Sequence, residues 1–145
     1  MQQYRFVLVA VDFSAHSMTV GQRAAQLARG QGARLGFIHV VEHIPMDFSN
    51  DIVIPEQLDG VEFLVDHATG RLQELAQKLG FPDAPRWIEV GSPKREITRV
   101  AEEQNVDLIV VGSHGRHGLG ALLGATADGV VHYAHCDVLA VRIKE

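Results

Sequence analysis

The residues best suited to chemistry lie in one stretch. An apolar run, Leu108-Ile109-Val110-Val111, meets Gly112, and five glycines (Gly112, Gly115, Gly118, Gly120 and Gly124) fall within thirteen positions. An apolar run rich in β-branched residues reads as a buried parallel strand. The glycines read as a loop where the backbone comes close to something. A helical segment follows from about Ala125. Strand, glycine loop and helix N-terminus together make a phosphate cradle, because unpaired N–H groups point outward there and the helix dipole favours an anion. Gly112 and Gly115 would let peptide N–H groups approach phosphate oxygens with no Cβ in the way. Gly124 and Thr126 would open the helix and add N–H groups and one hydroxyl. On spacing alone, a tight surface loop that binds nothing is as good a reading. No Gly-Lys-Ser/Thr is present, so this is not a Walker A loop. The run Gly115-Arg116-His117-Gly118-Leu119-Gly120 reverses the dinucleotide fingerprint and earns no weight.

Elsewhere the chemistry is sparser. Asp12 directly follows an apolar run and suits a helix cap. Arg116 would meet a terminal phosphate or simply be solvated. His132 and His135 lie three apart with Cys136 beside them, but nothing supplies a matching second pair of metal ligands, and His39 sits on a strand expected to be buried. A divalent cation held through a ligand's phosphates fits better than a protein-only metal site. No G-x-S-x-G elbow occurs, and His114 has no evident orienting partner in sequence. No catalytic residue is assigned.

These groups must be positioned by elements of a chain of 145 residues, enough for one domain, 1–145, with a core that needs no disulfide or metal. Apolar runs at 6–11, 35–41, 87–90, 108–111 and 137–143 read as strands. Between them, helical spacing appears four times. Val20, Ala24, Leu27 and Ala28 mark a first helix, capped by Ser14 or Ser17 and stopped by Gly30 and Gly32. A long amphipathic helix spans 57–79, with Leu58, Val61, Val65, Ala68, Leu72, Leu75, Ala76 and Leu79 on one face and Gly80 and Pro82 after it. Ser92-Pro93 opens a third helix, with Ser92 as N-cap, Glu96 in the capping-box neighbourhood and Ile97, Val100 and Ala101 buried. The fourth runs over about 125–134. The connection 42–55 is long and carries Pro45 and Pro55, which suits a functional surface. Strict alternation predicts an α/β fold, a five-stranded parallel sheet with helices on both faces. In such sheets a ligand binds beyond the carboxyl ends of the strands where the strand order reverses. If the first and fourth strands are neighbours, Asp12 and Gly112 face one crevice.

Composition narrows the partners. Formal charge is −5, which argues against a nucleic-acid surface. No apolar run approaches the roughly 18 residues of a membrane span. The single cysteine rules out an intrachain disulfide, and MQQYRF lacks a signal-peptide pattern, so the cytoplasm is the default location.

The chain resembles the universal stress protein family. The first strand ends in Val11-Asp12-Phe13-Ser14, like the family's D-x-S turn; the second carries Ile38-His39-Val40; Val90-Gly91-Ser92-Pro93 precedes the third helix. The run from Val106 through Gly115 and the ending Cys136-Asp137-Val138-Leu139-Ala140-Val141 are close matches, so the likeness covers residues 5–142. Nucleotide-binding members carry G-x-x-G, nine residues, then G-[S/T]. Here Gly112-x-x-Gly115 matches, eight residues lead to Gly124, and Ala125 stands where Ser or Thr is usual.

The resemblance implies a Rossmann-like sheet of order 3-2-1-4-5. It also implies a site for ATP (or AMP or ADP), with Mg2+ or Mn2+ held through the phosphates. Ala10, Val11 and Val111 would line the base pocket, and the Val40 backbone would meet the adenine edge. Asp12 and Gly112 would lie at the ribose, while Gly115, Arg116, Gly124, Ala125 and Thr126 would hold the phosphates. One missing serine hydroxyl costs about 0.5–1.5 kcal/mol, so weakened or shifted binding is expected rather than none. The family likeness further implies a homodimer through the C-terminal strand, and an unidentified protein client that the 42–55 connection would meet. The expected function is a nucleotide-sensing regulatory stress-response protein. The alternatives are a slow ATPase or other nucleotide-processing enzyme, and an interaction module of the same fold with no bound nucleotide.

Overall fold

The computed structural model describes residues 3–42, 56–113 and 124–143. Five strands alternate with four helices: β1 (Phe6–Ala10), α1 (Ser17–Gln31), β2 (Arg34–Val41), α2 (Glu56–Lys78), β3 (Arg86–Val90), α3 (Pro93–Glu103), β4 (Leu108–Ser113), α4 (Ala125–Tyr133) and β5 (Asp137–Arg142). All strand pairs are parallel, in the order β3-β2-β1-β4-β5. This is the expected order. The central strands are apolar throughout because both faces of the sheet are covered.

Side-chain alternation divides the core in two. Val7, Val9, Leu35, Phe37, Leu108 and Val110 pack on one face, with α1 (Val20, Ala24, Ala28) and α2 (Leu72, Leu75, Ala76). Phe6, Leu8, Ile38, Val40 and Ile109 occupy the other, with α3 (Ile97, Val100, Ala101) and Val130 of α4. At the amino end of the sheet, the Asp107 carboxylate accepts the Arg5 N–H (2.9 Å) and Phe6 N–H (3.0 Å). Asp107 therefore fixes the start of β1, far from the carboxyl ends where a ligand is expected.

Several local expectations need correction. β1 stops at Ala10, not Val11. Gly30 lies inside α1, and only Gly32, left-handed at φ 66, ends it, receiving the chain as a αL cap. Neither serine caps α1. His16 holds the N-cap position without a side-chain cap bond, while the Ser14 hydroxyl accepts the His16 N–H at 3.2 Å. Ser92 does precede Pro93 at the start of α3, but makes no side-chain cap bond. Glu96 is engaged by Arg99 at 2.7 Å instead of closing a capping box. On α2 Val61 and Val65 are partly exposed and the stripe is buried from Ala68 onward; the Leu58 side chain lies outside the described residues. β4 continues through Gly112 to Ser113.

Candidate functional site

The strand registers create a notch at the carboxyl edge of the sheet. Ala10, the last residue of β1, is level with Ile38 of β2. β2 continues through His39, Val40 and Val41. On the other side Val9 pairs with Val110, so Ala10 is level with Val111, and β4 continues through Gly112 and Ser113. The central strand thus stops short of both neighbours. Because β1 feeds β2 on one side and lies beside β4 on the other, this notch is also the topological switch point, the usual ligand crevice of such sheets.

Backbone orientation follows from the ladder. The Ile38 carbonyl accepts the Val11 N–H at 2.8 Å, so Ile38 faces β1. Alternation turns the Val40 N–H and C=O the same way, into the space that β1 has left. The exit turn is built by Asp12, whose Oδ1 accepts the Ser14 N–H at 2.9 Å and the Ser17 hydroxyl at 3.3 Å. Phe13 completes the turn in the left-handed region, at φ 60. Across the notch, Gly124 is the N-cap of α4 and makes no side-chain cap bond. Gly124, Ala125 and Thr126 line the cleft, and among the described residues no side chain caps the first N–H groups of that helix, as an anion site requires.

The resulting cleft has a volume of about 520 Å3, inside the roughly 300–1,000 Å3 of small-molecule sites. Ala10, Val11, Asp12, Val40, Val111, Gly112, Gly124, Ala125 and Thr126 all line it. Gly115 and Arg116, like the 43–55 part of the long connection, lie outside the described residues. His132, His135 and Cys136 are not part of the cleft. His135 Nδ1 stands 3.5 Å from Glu102 Oε1, and burial pushes the Cys136 thiol up. Among the described residues no group of three or more His, Cys, Asp or Glu side chains could hold a metal ion.

The sequence model of the universal stress protein family matches residues 3–142. The chain belongs to that family. It is 39% identical over 142 residues to universal stress protein A homolog 1 of Coxiella burnetii, covering 98% of this chain and 99% of that relative. Among solved structures, universal stress protein UspA from Lactobacillus plantarum superposes with a TM-score of 0.76 at 28% identity, over 98% of this chain and all of that one (100%). A universal stress protein crystallised in complex with cAMP gives a TM-score of 0.67 at 26% identity, covering 97% of this chain and 98% of that one.

Within this universal stress protein the cleft also takes in residues that sequence reasoning did not assign to it, among them Ser14, Ser17, His39, Pro93 and Ile97. Pro93 and Ile97 arrive because the N-terminus of α3, like that of every helix in a doubly wound sheet, sits at the carboxyl edge. His39, expected to be buried, is only half-buried. Its Nδ1 lies 2.6 Å from the Val11 carbonyl, and its ring packs on Phe13 at a centroid distance of 4.3 Å. Burial holds its pKa below the ordinary histidine value, partly offset by the Val11 carbonyl and by Asp12. A lone polar residue near the carboxyl end of an apolar strand was the available signal.

Proposed function

We propose that this universal stress protein binds an adenine nucleotide in the notch, ATP or its products AMP and ADP, and acts as a nucleotide-sensing homodimer in the stress response. One observation carries the reading: where β1 ends, backbone donors and acceptors, a carboxylate and an uncapped helix N-terminus converge on one cleft. The Val40 N–H and C=O suit the donor–acceptor edge of a base. Asp12 suits ribose hydroxyls, to which an ionised carboxylate is a strong acceptor. The N–H groups at Gly124, Ala125 and Thr126 suit phosphate oxygens, and Gly115 and Arg116 are assigned to the same end by resemblance. Mg2+ or Mn2+ would be held through the phosphates. The cAMP complex of a related protein supports an adenine nucleotide as the ligand class.

The test is to purify the chain, denature it by heat and analyse the supernatant, then titrate stripped protein with ATP by calorimetry. The expected result is co-purified adenine nucleotide and saturable ATP binding. No released nucleotide together with no heat of binding would overturn the proposal. Phosphate release over many turnovers at more than about 1 s⁻¹, the low end of ordinary enzymes, would replace sensing with catalysis.

A further inference from the structure

We infer that His39 is a positioning residue that keeps the notch open by taking the Val11 carbonyl out of the β1–β2 ladder. The rungs of a parallel pair are evenly spaced. After the bond from Val11 N–H to the Ile38 carbonyl, the next rung in this register runs from the Val40 N–H to the Val11 carbonyl. Among the described residues that rung is not made, and Val11 falls outside β1. The Val11 carbonyl is bonded by His39 Nδ1 instead, at 2.6 Å. A carbonyl only accepts, so Nδ1 carries the proton, and the neutral ring is the Nδ1–H tautomer.

The ring is held in place from α2. Phe13 lies against His39 on one side, and the Arg71 guanidinium sits 4.4 Å over the Phe13 ring, with its Nη2 3.5 Å from the Phe13 carbonyl. Arg71, Phe13 and His39 thus clamp the strand exit. The consequence is chemical: the Val40 peptide stays unzipped from β1, and Asp12, next to Val11, is fixed at the rim. Without the histidine, the donor that the ladder register offers the Val11 carbonyl is the Val40 N–H, and a carbonyl left without a donor is costly. The ladder then closes by one rung over the floor of the cleft. The effect on ligand affinity rests on the nucleotide reading above; the effect on the Val40 amide does not.

The experiment compares wild type, His39→Leu and His39→Asn. Asparagine places an amide donor near the Nδ1 position. In ligand-free protein, amide hydrogen exchange followed by NMR should show Val40 at least about tenfold more protected in His39→Leu than in wild type, with His39→Asn close to wild type. A histidine that serves packing alone predicts the opposite, faster exchange in the weakened variant. ATP affinity should fall about tenfold in His39→Leu, the order expected for one lost peptide hydrogen bond, and recover in His39→Asn. Unchanged or faster Val40 exchange in His39→Leu overturns the inference. Protected Val40 with no ATP binding by wild type leaves it standing and removes the nucleotide reading. If His39→Leu does not fold, the ring nitrogen shifts of wild-type His39 decide: an Nε2–H tautomer at neutral pH overturns the inference, and Nδ1–H supports it.

Discussion

Burial and local charge pull on His39 in opposite directions. Desolvation disfavours the imidazolium and is the larger effect; the Val11 carbonyl, Asp12 and Glu42 favour it, while Arg71 opposes it. The net result is a folded-state pKa below the 6.5 of an exposed histidine. The consequence for stability has a definite sign. Below about pH 6.5 the unfolded chain protonates this ring while the folded protein resists, so the unfolded state binds more protons and stability falls as pH is lowered. The contribution is complete above that pH and is lost on going down through the window between the unfolded and folded values. The urea midpoint should therefore drop more between pH 7.5 and pH 5.5 for wild type than for His39→Asn, which has no proton to gain. Parallel pH profiles for the two proteins would show that His39 does not titrate differently in the fold.

At the scale of the element, the N-terminus of α4 is where this chain departs from the family pattern, and where that departure can be measured. Ala125 occupies the first helical position, after the N-cap Gly124, and lines the cleft. Replacing it with serine adds a hydroxyl at the mouth of an uncapped helix. If phosphates rest there, Ala125→Ser should tighten ATP binding by up to about tenfold, the range of one added hydrogen bond, with little change in the melting temperature. Calorimetry giving identical affinities would place the phosphates away from this helix.

The same scale shows what could be read from sequence. Apolar runs of strand length, rich in β-branched residues, located every strand to within a residue or two, including the partly buried edge strands β3 and β5. Alternation then determined the sheet, and the family likeness its order. Ends of elements were less legible. Gly30 looked like a stop, but an isolated glycine is tolerated inside a helix, and only Gly32 has the left-handed backbone. Ser14 and Ser17 looked like caps, but both serve a turn organised by Asp12. The early end of β1 depends on a side chain 28 positions away, His39 bonding to Val11, and no local pattern contains that pairing. Nine of the residues expected from sequence do converge on the cleft, since strand ends at a switch point are placed by topology. Residues brought in from flanking helix starts, such as Ile97, are invisible until the sheet is built.

At the scale of the whole molecule the proposed assembly centres on β5. It lies at one edge of the sheet, and among the described residues no second strand pairs with its outer side. An edge with open N–H and C=O groups is a template for another chain, and homodimers closed by a two-fold axis are the commonest outcome. The proposed homodimer uses this edge. The register identifies which peptide groups would take part. The Ile143 N–H bonds the Ser113 carbonyl, so Ile143 faces β4, and alternation turns Val138, Ala140 and Arg142 outward. Ala140 is outside the cleft, and proline is tolerated on an edge strand whose N–H faces away from the sheet. Light scattering at micromolar concentration should give wild type twice the mass of one chain. Ala140→Pro, which removes one outward donor, should shift the protein to a single-chain mass while ATP binding and the far-UV spectrum are retained. A wild-type monomer would remove the homodimer from the proposed function, and an Ala140→Pro variant that still dimerises would move the interface to another surface. Loss of ATP binding together with the dimer would show instead that assembly and the notch are linked, since coupling between two sites is reciprocal.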